Sequence, residues 1–361
     1  CLAIKPDLVF LWDEAWFGFA RWSPFLRPRT AMGAAKAIET WLKDPAALEA
    51  YEAQQALLGE NPDQETLLNT RLIPDPRAVR LRVYQTNSTH KSMSALRQGS
   101  MVLVKDVDFY SVEPQFHEAV FTHSTTSPNQ QLIASLDIAR RQMELEGYGL
   151  VNNAIQIALD IRSQIKNHPL ISRYFSVLGA DEMIPAAFRE SGFKDFLAAG
   201  TNWDKTVESI RDDEFTLDPT RMTLVCGTAG MDGTEFKMLL ADKFDIQLNK
   251  TSRNSVLLQS NINNTRSDVA HLIQVLAEIA TAVEEEALKS GAVGQARFDA
   301  KVKSLMEDTP DLPNFSHFHV AFRDDVDQKV AVEGNIRQAF FMSWQEENCE
   351  YIGLNSEECD R

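Results

Sequence analysis

The stretch Leu81-Arg82-Val83-Tyr84-Gln85-Thr86-Asn87-Ser88-Thr89-His90-Lys91 begins as an apolar, β-branched run and ends in small hydroxyl residues, a histidine and a lysine. Its first half has strand character over residues 81–85, and the polar end marks where that strand stops. An earlier apolar run, Leu8-Val9-Phe10-Leu11-Trp12, ends in Asp13-Glu14-Ala15-Trp16. One strand thus closes on an acid and a later one on a lysine. A lysine amine so placed can attack a carbonyl, and an acid can hold a protonated ring nitrogen. Taken singly, Lys91 also reads as a surface lysine after a strand and Asp13 as a helix N-cap.

Size and charge narrow the classes. The chain has 361 residues, 44% hydrophobic and 24% charged, enough for two subdomains around a substantial core. A formal net charge of −16 repels nucleic acid and anionic membranes and suits a cationic ligand. Cys1, Cys226, Cys349 and Cys359 show neither metal-type Cys-x-x-Cys spacing nor a dense disulfide framework, which points to a reducing cytoplasm. There is no cleavable signal pattern and no apolar run of about 18 residues that could span a bilayer.

Strands and helices alternate in the first part. Residues 8–12, 81–85 and 101–105 read as strands of buried type, and residues 34–58 as helical, followed by a polar loop over 59–70. We take residues 34–76 as a surface insertion, because the connection is long for a compact domain. Ser127-Pro128 predicts a helix start and Gly147 its stop, with Leu132, Leu136, Ala139 and Met143 as one stripe. A second helix carries Val151, Ala154, Ile155, Ala158, Ile161 and Ile165 and closes at His168-Pro169. The domain boundary is set here, giving units 1–147 and 148–361. Further on, residues 222–226 and 256–259 read as strands and 234–244 as a helix. Thr265 caps a long helix with Asp268 completing a capping box. This is an α+β pattern.

Three blocks, in register, resemble the bacterial ornithine/lysine/arginine decarboxylases. They are Asp13-Glu14-Ala15-Trp16; Ser88-Thr89-His90-Lys91 with Ala95-Leu96-Arg97-Gln98-Gly99-Ser100-Met101; and His123-Ser124-Thr125-Thr126-Ser127-Pro128. Residues 334–351 look like the same family. The resemblance implies an α/β fold: part of the large domain of a type I pyridoxal-phosphate enzyme, with a mostly parallel sheet and flanking helices, plus a smaller α+β C-terminal subdomain. It makes Lys91 the residue that bonds the aldehyde of pyridoxal 5'-phosphate and Asp13 the partner of the pyridine nitrogen. Ser88 and His90 become cofactor or phosphate contacts, and Trp16 an aromatic wall. Thr125, Thr126 and Ser127 become the segment that reaches a neighbouring subunit's cofactor in a homodimer or larger homo-oligomer.

The implied reaction is decarboxylation of a basic amino acid, arginine first and lysine or ornithine next, to an amine of the polyamine class. Lys91 or His90 would return the proton. The family's ring-stacking histidine and main phosphate turn lie upstream of the acid-bearing strand, and here twelve residues precede Asp13. The expectation is therefore a fragment lacking the N-terminal part, inactive alone. Two rivals remain open: another type I pyridoxal enzyme such as an aminotransferase, and a non-catalytic interaction or regulatory homologue. No metal is expected. His117 and His123 are six residues apart, so they miss the His-Glu-x-x-His spacing. His317 and His319 form only a lone pair, and Gly227, Gly230 and Gly233 lack the dinucleotide fingerprint.

Overall fold

The structure, a computed structural model, describes residues 1–59, 61–196, 202–248 and 250–308. The block 334–351, His317, His319, Cys349 and Cys359 lie outside the described residues. The chain divides into a unit of Cys1–Leu305 and a second of Met306–Arg361, and of the second only residues 306–308 are described.

The first sheet has the order β1-β2-β3, with β1 at Val9–Asp13, β2 at Arg82–Ser88 and β3 at Ser100–Asp106. β1 and β2 are parallel, with Asp13 opposite Thr86, and β2 and β3 are antiparallel. The expected mostly parallel sheet is thus corrected: among the described residues only one strand pair runs parallel. The cause is connection length. A parallel return needs a crossover of about a dozen residues or more. Only residues 89–99 separate β2 from β3, and part of that link is the single turn α4 (Thr89–Ser92).

Between β1 and β2 there is room for three helices: α1 (Ala31–Leu42), α2 (Pro45–Leu58) and α3 (Gln64–Asn69). Thr30 caps α1 by accepting from Gly33 N–H, and Asp44 caps α2 ahead of Pro45. Ala31 and Ala35 of α1 are buried with Val83 of β2 and with Leu81 just before it, so α1 is the crossover helix of a βαβ unit and not surface insertion. The loop expected over 59–70 contains α3. β1 and β3 were read as buried strands, yet Leu11 is 74% and Val102 49% exposed.

After α5 (Phe109–His123), the 38-residue helix α6 (Gln130–Asn167) runs unbroken through the stop expected at Gly147. It starts one residue after the cap Asn129, whose side chain accepts from Gln131 and Leu132 N–H, and not at Ser127-Pro128. Gly147 lies on the buried stripe that links Met143 to Val151. A Cβ at Gly147 would stand 2.5 Å from Trp22 Cδ1, so the glycine serves close approach of an indole.

Then come α7 (Ile171–Tyr174), β4 (Ser176–Val177), α8 (Ala180–Met183), α9 (Trp203–Ile210), β5 (Arg221–Val225), α10 (Gly233–Phe244), β6 (Lys250–Thr251), β7 (Ser255–Gln259), α11 (Arg266–Lys289) and α12 (Gly291–Met306). The strands form a second, antiparallel sheet in the order β4-β5-β7-β6. One face packs Met222, Leu224, Val256 and Leu258 against Ile161 and Ile165 of α6 and Leu276 and Ile279 of α11. Each such side chain contributes roughly 1.5–3 kcal/mol on burial. α11 carries the capping box expected from Thr265 and Asp268. No helix among the described residues is long and apolar enough to cross a membrane.

Gly147→Ala sets a helix-propensity gain of about 1 kcal/mol against overpacking of roughly 1–3 kcal/mol at Trp22. We expect a net loss, seen as a lower denaturant midpoint. A raised midpoint would show that Trp22 yields freely.

Candidate active site

The parallel pairing of β1 and β2 brings their C-terminal ends to the same end of the sheet, where α/β proteins place ligands. Asp13 closes β1 with its carboxylate exposed; its Oδ1 accepts from Ala15 N–H at 3.0 Å and from Thr86 Oγ1 at 3.5 Å. Glu14 N–H donates to Thr86 O (3.0 Å) and Ser88 N–H to Ala15 O (3.1 Å), so the turn after β1 stays stitched to β2.

Glu14 turns inward and is 9% exposed. Its Oε1 accepts from Ala31 N–H at 2.6 Å, and its buried Oε2 has no partner among the described residues. Gln85 Oε1 takes Met32 N–H at 3.1 Å, Gln85 Nε2 donates to Asn87 Oδ1, and Asn87 Nδ2 donates to Glu14 O. Glu14 and Gln85 thus satisfy two free N–H groups at the N-terminus of α1, and Asn87, two residues on in β2, ties Gln85 to the Glu14 turn. Burial pushes the Glu14 carboxyl above the usual range, opposed by the Ala31 hydrogen bond.

Lys91 sits in the single turn α4, exposed, with Nζ 5.6 Å from the centroid of the Trp16 ring. On either side Thr89 and Ser92 are buried, and neither hydroxyl has a partner among the described residues. His90 is half-buried with Nδ1 3.0 Å from Gly99 O. A carbonyl only accepts, so Nδ1 carries the proton and, in the neutral ring, Nε2 keeps the lone pair. Gly99 O also receives Thr89 N–H at 3.0 Å. The structure therefore gathers Asp13, Trp16, Ser88, His90 and Lys91 at one end of the β1–β2 pair. Thr125, Thr126 and Ser127 lie in the exposed link between α5 and α6. Among the described residues their one hydrogen bond is internal, Ser127 N–H to Thr125 Oγ1 at 3.1 Å.

The second sheet adds groups that the sequence did not single out. Arg221 opens β5 with its guanidinium carbon 4.7 Å from the Trp16 ring centroid, and its Nη2 donates to Trp16 O at 2.7 Å. Lys250 Nζ lies 5.3 Å from the same centroid. Gln259 Nε2 donates to Lys91 O at 2.7 Å. A cleft of about 440 Å³ opens beside Lys91, lined also by Gln259, Ser260, Asn264, Asp268 and His271. The one available signal was the alternation Arg221-Met222-Thr223-Leu224, which marks a strand with two different faces. Among the described residues no three His, Cys, Asp or Glu side chains come together as a metal site.

A βαβ unit that ends in an acid and a lysine, buttressed by an antiparallel sheet, is the arrangement of an α/β protein with a polar site at its strand ends. Residues 71–268 match the family model of the Orn/Lys/Arg decarboxylase major domain, more than half of the chain. The chain belongs to the Orn/Lys/Arg decarboxylase family. The match takes in Lys91 and Gln259 and begins after Asp13 and Trp16. The inducible lysine decarboxylase of Escherichia coli (strain K12) is 28% identical over 214 residues, 56% of this chain and 28% of that protein. The arginine decarboxylase of Bacillus cereus is 26% identical over 205 residues, 56% of this chain and 37% of that protein. The chain thus spans about a third of the length of these relatives. Among solved structures, lysine decarboxylase A from Pseudomonas aeruginosa aligns over 82% of this chain and 40% of its own, at 20% identity and a TM-score of 0.49.

Because the folded-state value of Glu14 is raised, its stabilising contribution is full below the unfolded value of 4.5 and is lost as pH rises through the folded value. Glu14→Gln keeps the acceptor for Ala31 and removes the charge. Its stability relative to the parent should therefore improve steadily from acid to neutral pH in denaturant titrations. A difference independent of pH would mean that Glu14 does not titrate differently on folding.

Proposed function

We propose that this chain contributes the lysine-bearing part of a pyridoxal-phosphate-dependent decarboxylase of basic amino acids. The observation that carries the reading is the placement of Lys91 and Asp13 at the carboxyl ends of adjacent strands, with the Trp16 indole against the lysine amine. Family membership and relatives named lysine and arginine decarboxylases support it.

The donor set fits the cofactor. An exposed amine and an exposed carboxylate stand at neighbouring strand ends, and the unpartnered hydroxyls of Thr89 and Ser92 flank the lysine. Lys91 would hold the aldehyde carbon, Asp13 the ring nitrogen and Trp16 the wall, while Ser88 and His90 contact the cofactor or its phosphate. When bound, pyridoxal phosphate supplies an electron-accepting ring for the pair released with CO2. Asp13, by its negative charge, would favour a proton on the ring nitrogen. Lys91 would be the group that a substrate amine replaces, and Lys91 Nζ or His90 Nε2 would be the group placed to return a proton to carbon. Trp16 shields that exchange from water on one side.

In the same reading the first sheet is part of a type I large domain, and residues 148–361 are the smaller subdomain and C-terminal segment. The protein is cytoplasmic and at least a homodimer, with Thr125, Thr126 and Ser127 reaching the neighbour's cofactor. Arginine is the first substrate to test, then lysine and ornithine. A keto-acid product in place of CO2 would favour the aminotransferase reading.

Borohydride reduction in the presence of pyridoxal phosphate, followed by peptide mass spectrometry, should mark Lys91 above the other lysines, and Lys91→Ala should abolish that mark. In the assembly in which the chain occurs, release of labelled CO2 from carboxyl-labelled substrate measures turnover. Asp13→Asn should retain cofactor while losing most turnover; a charge-assisted bond of this kind contributes roughly 1.5–3 kcal/mol. Near-normal CO2 release by Asp13→Asn would reduce the acid to a structural role.

A further inference from the structure

Arg221 and Gln259 face each other directly across the antiparallel pair β5–β7. Directly opposed residues project to the same side, about 4.5–5.5 Å apart. Their side of the sheet is the one turned away from the core that Met222, Leu224 and Leu258 help to build. From that face each donates to a main-chain carbonyl of a different candidate segment, Arg221 Nη2 to Trp16 O and Gln259 Nε2 to Lys91 O, both at 2.7 Å.

We propose that this cross-strand pair is a positioning clamp that sets the Lys91 amine against the Trp16 wall. α4 is one turn long, and a helix of that length does not hold itself together or satisfy its own terminal carbonyls. The Gln259 amide supplies the missing donor at Lys91. The Arg221 guanidinium lies over the indole whose centroid is also 5.6 Å from Lys91 Nζ, so it fixes the surface that the amine meets. Arg221 is itself held, with Asp218 Oδ2 3.8 Å from its Nε and its carbonyl accepting from Arg162 Nη2 at 2.7 Å. The two carbonyls lie 168 and 205 residues from their donors, so the clamp transmits the position of the second sheet to the ends of the first. Both residues act through others and touch no reacting atom.

The clamp is tested without cofactor. The intact chain is trace-labelled with acetic anhydride, and acetylation of Lys91 is measured by peptide mass spectrometry against the exposed Lys43 and Lys289. Gln259→Met keeps the side-chain length and Arg221→Met keeps the aliphatic stem, and both remove the donor. In each, Lys91 labelling should rise about fivefold relative to the controls, the equivalent of one lost hydrogen bond, because the amine is no longer held over the indole. Arg221→Lys, which restores a cation and a donor, should recover most of the parent ratio. A purely structural role would lower the melting temperature and leave the ratio unchanged, and that result overturns the clamp. If Arg221→Met fails to fold, the half-buried Gln259→Met decides alone. The proposal rests on the reading above only for what the aligned amine is used for. Failure of pyridoxal phosphate to mark Lys91 in the parent would sink that reading, while the acetylation ratios would still judge the clamp.

Discussion

The guanidinium of Arg162, 1% exposed near the C-terminal end of α6, ties that helix to the second sheet. It donates to Leu178 O at 3.0 Å and to Arg221 O at 2.7 Å, and lies 5.3 Å from the Phe196 ring centroid. Burying an unpaired ion costs several kcal/mol even after relaxation. Here two carbonyls and the charges of Asp218 and Asp195 offset part of that cost. Desolvation still pulls the Arg162 pKa down to about 10, so it stays charged at neutral pH. Burial also raises the Asp218 carboxyl, against the pull of Arg221 and Arg162. The long helix thereby anchors the strand end from which Arg221 reaches Trp16.

Around that anchor the site is built from strand ends and short turns, and strand β2 does two jobs. Val83, Gln85 and Asn87 face α1, one apolar and two polar, while Arg82, Tyr84, Thr86 and Ser88 lie on the other side. The apolar member packs under the crossover helix, and the two amides organise its N-terminus and the Glu14 turn. The same alternation therefore fixes the depth of the helix and the direction in which the chain leaves β1. Asp13 and Glu14, adjacent in sequence, reach opposite environments for this reason.

Much of this was legible in local pattern. The strand ends at Asp13 and Ser88, strand β7, and the Thr265–Asp268 box follow from runs a few residues long. Gly147 misled because glycine is also a helix terminator, although Met143 and Val151 at spacings of four on either side already argued for one continuous stripe. Ser127-Pro128 looked like a helix start, but Asn129 is the residue whose side chain reaches the first free N–H groups. The direction of β3 depended on the length of its connection, and its exposure on what packs against it. For Arg221 and Gln259 the local pattern marks strand positions and nothing more. Their importance arises from a cross-strand register and from contacts across more than 160 residues, which exist only once both sheets have formed.

Among the described residues strand β1 pairs with one partner, some 70 residues away, and Val9, Leu11 and Trp12 are 50%, 74% and 51% exposed. Closing so long a loop must precede any gain from the pairing, and little apolar area rewards it afterwards. The α6–α11 core, by contrast, buries most of its side chains. On these grounds β1 is the strand of the first sheet expected to dock late and to open early. The backbone amides of β1 should exchange with solvent through local opening while those of β5 and β7 await global unfolding. The acid at Asp13 rides on this largely exposed strand, so a ligand that binds only the docked strand would stabilise its alignment.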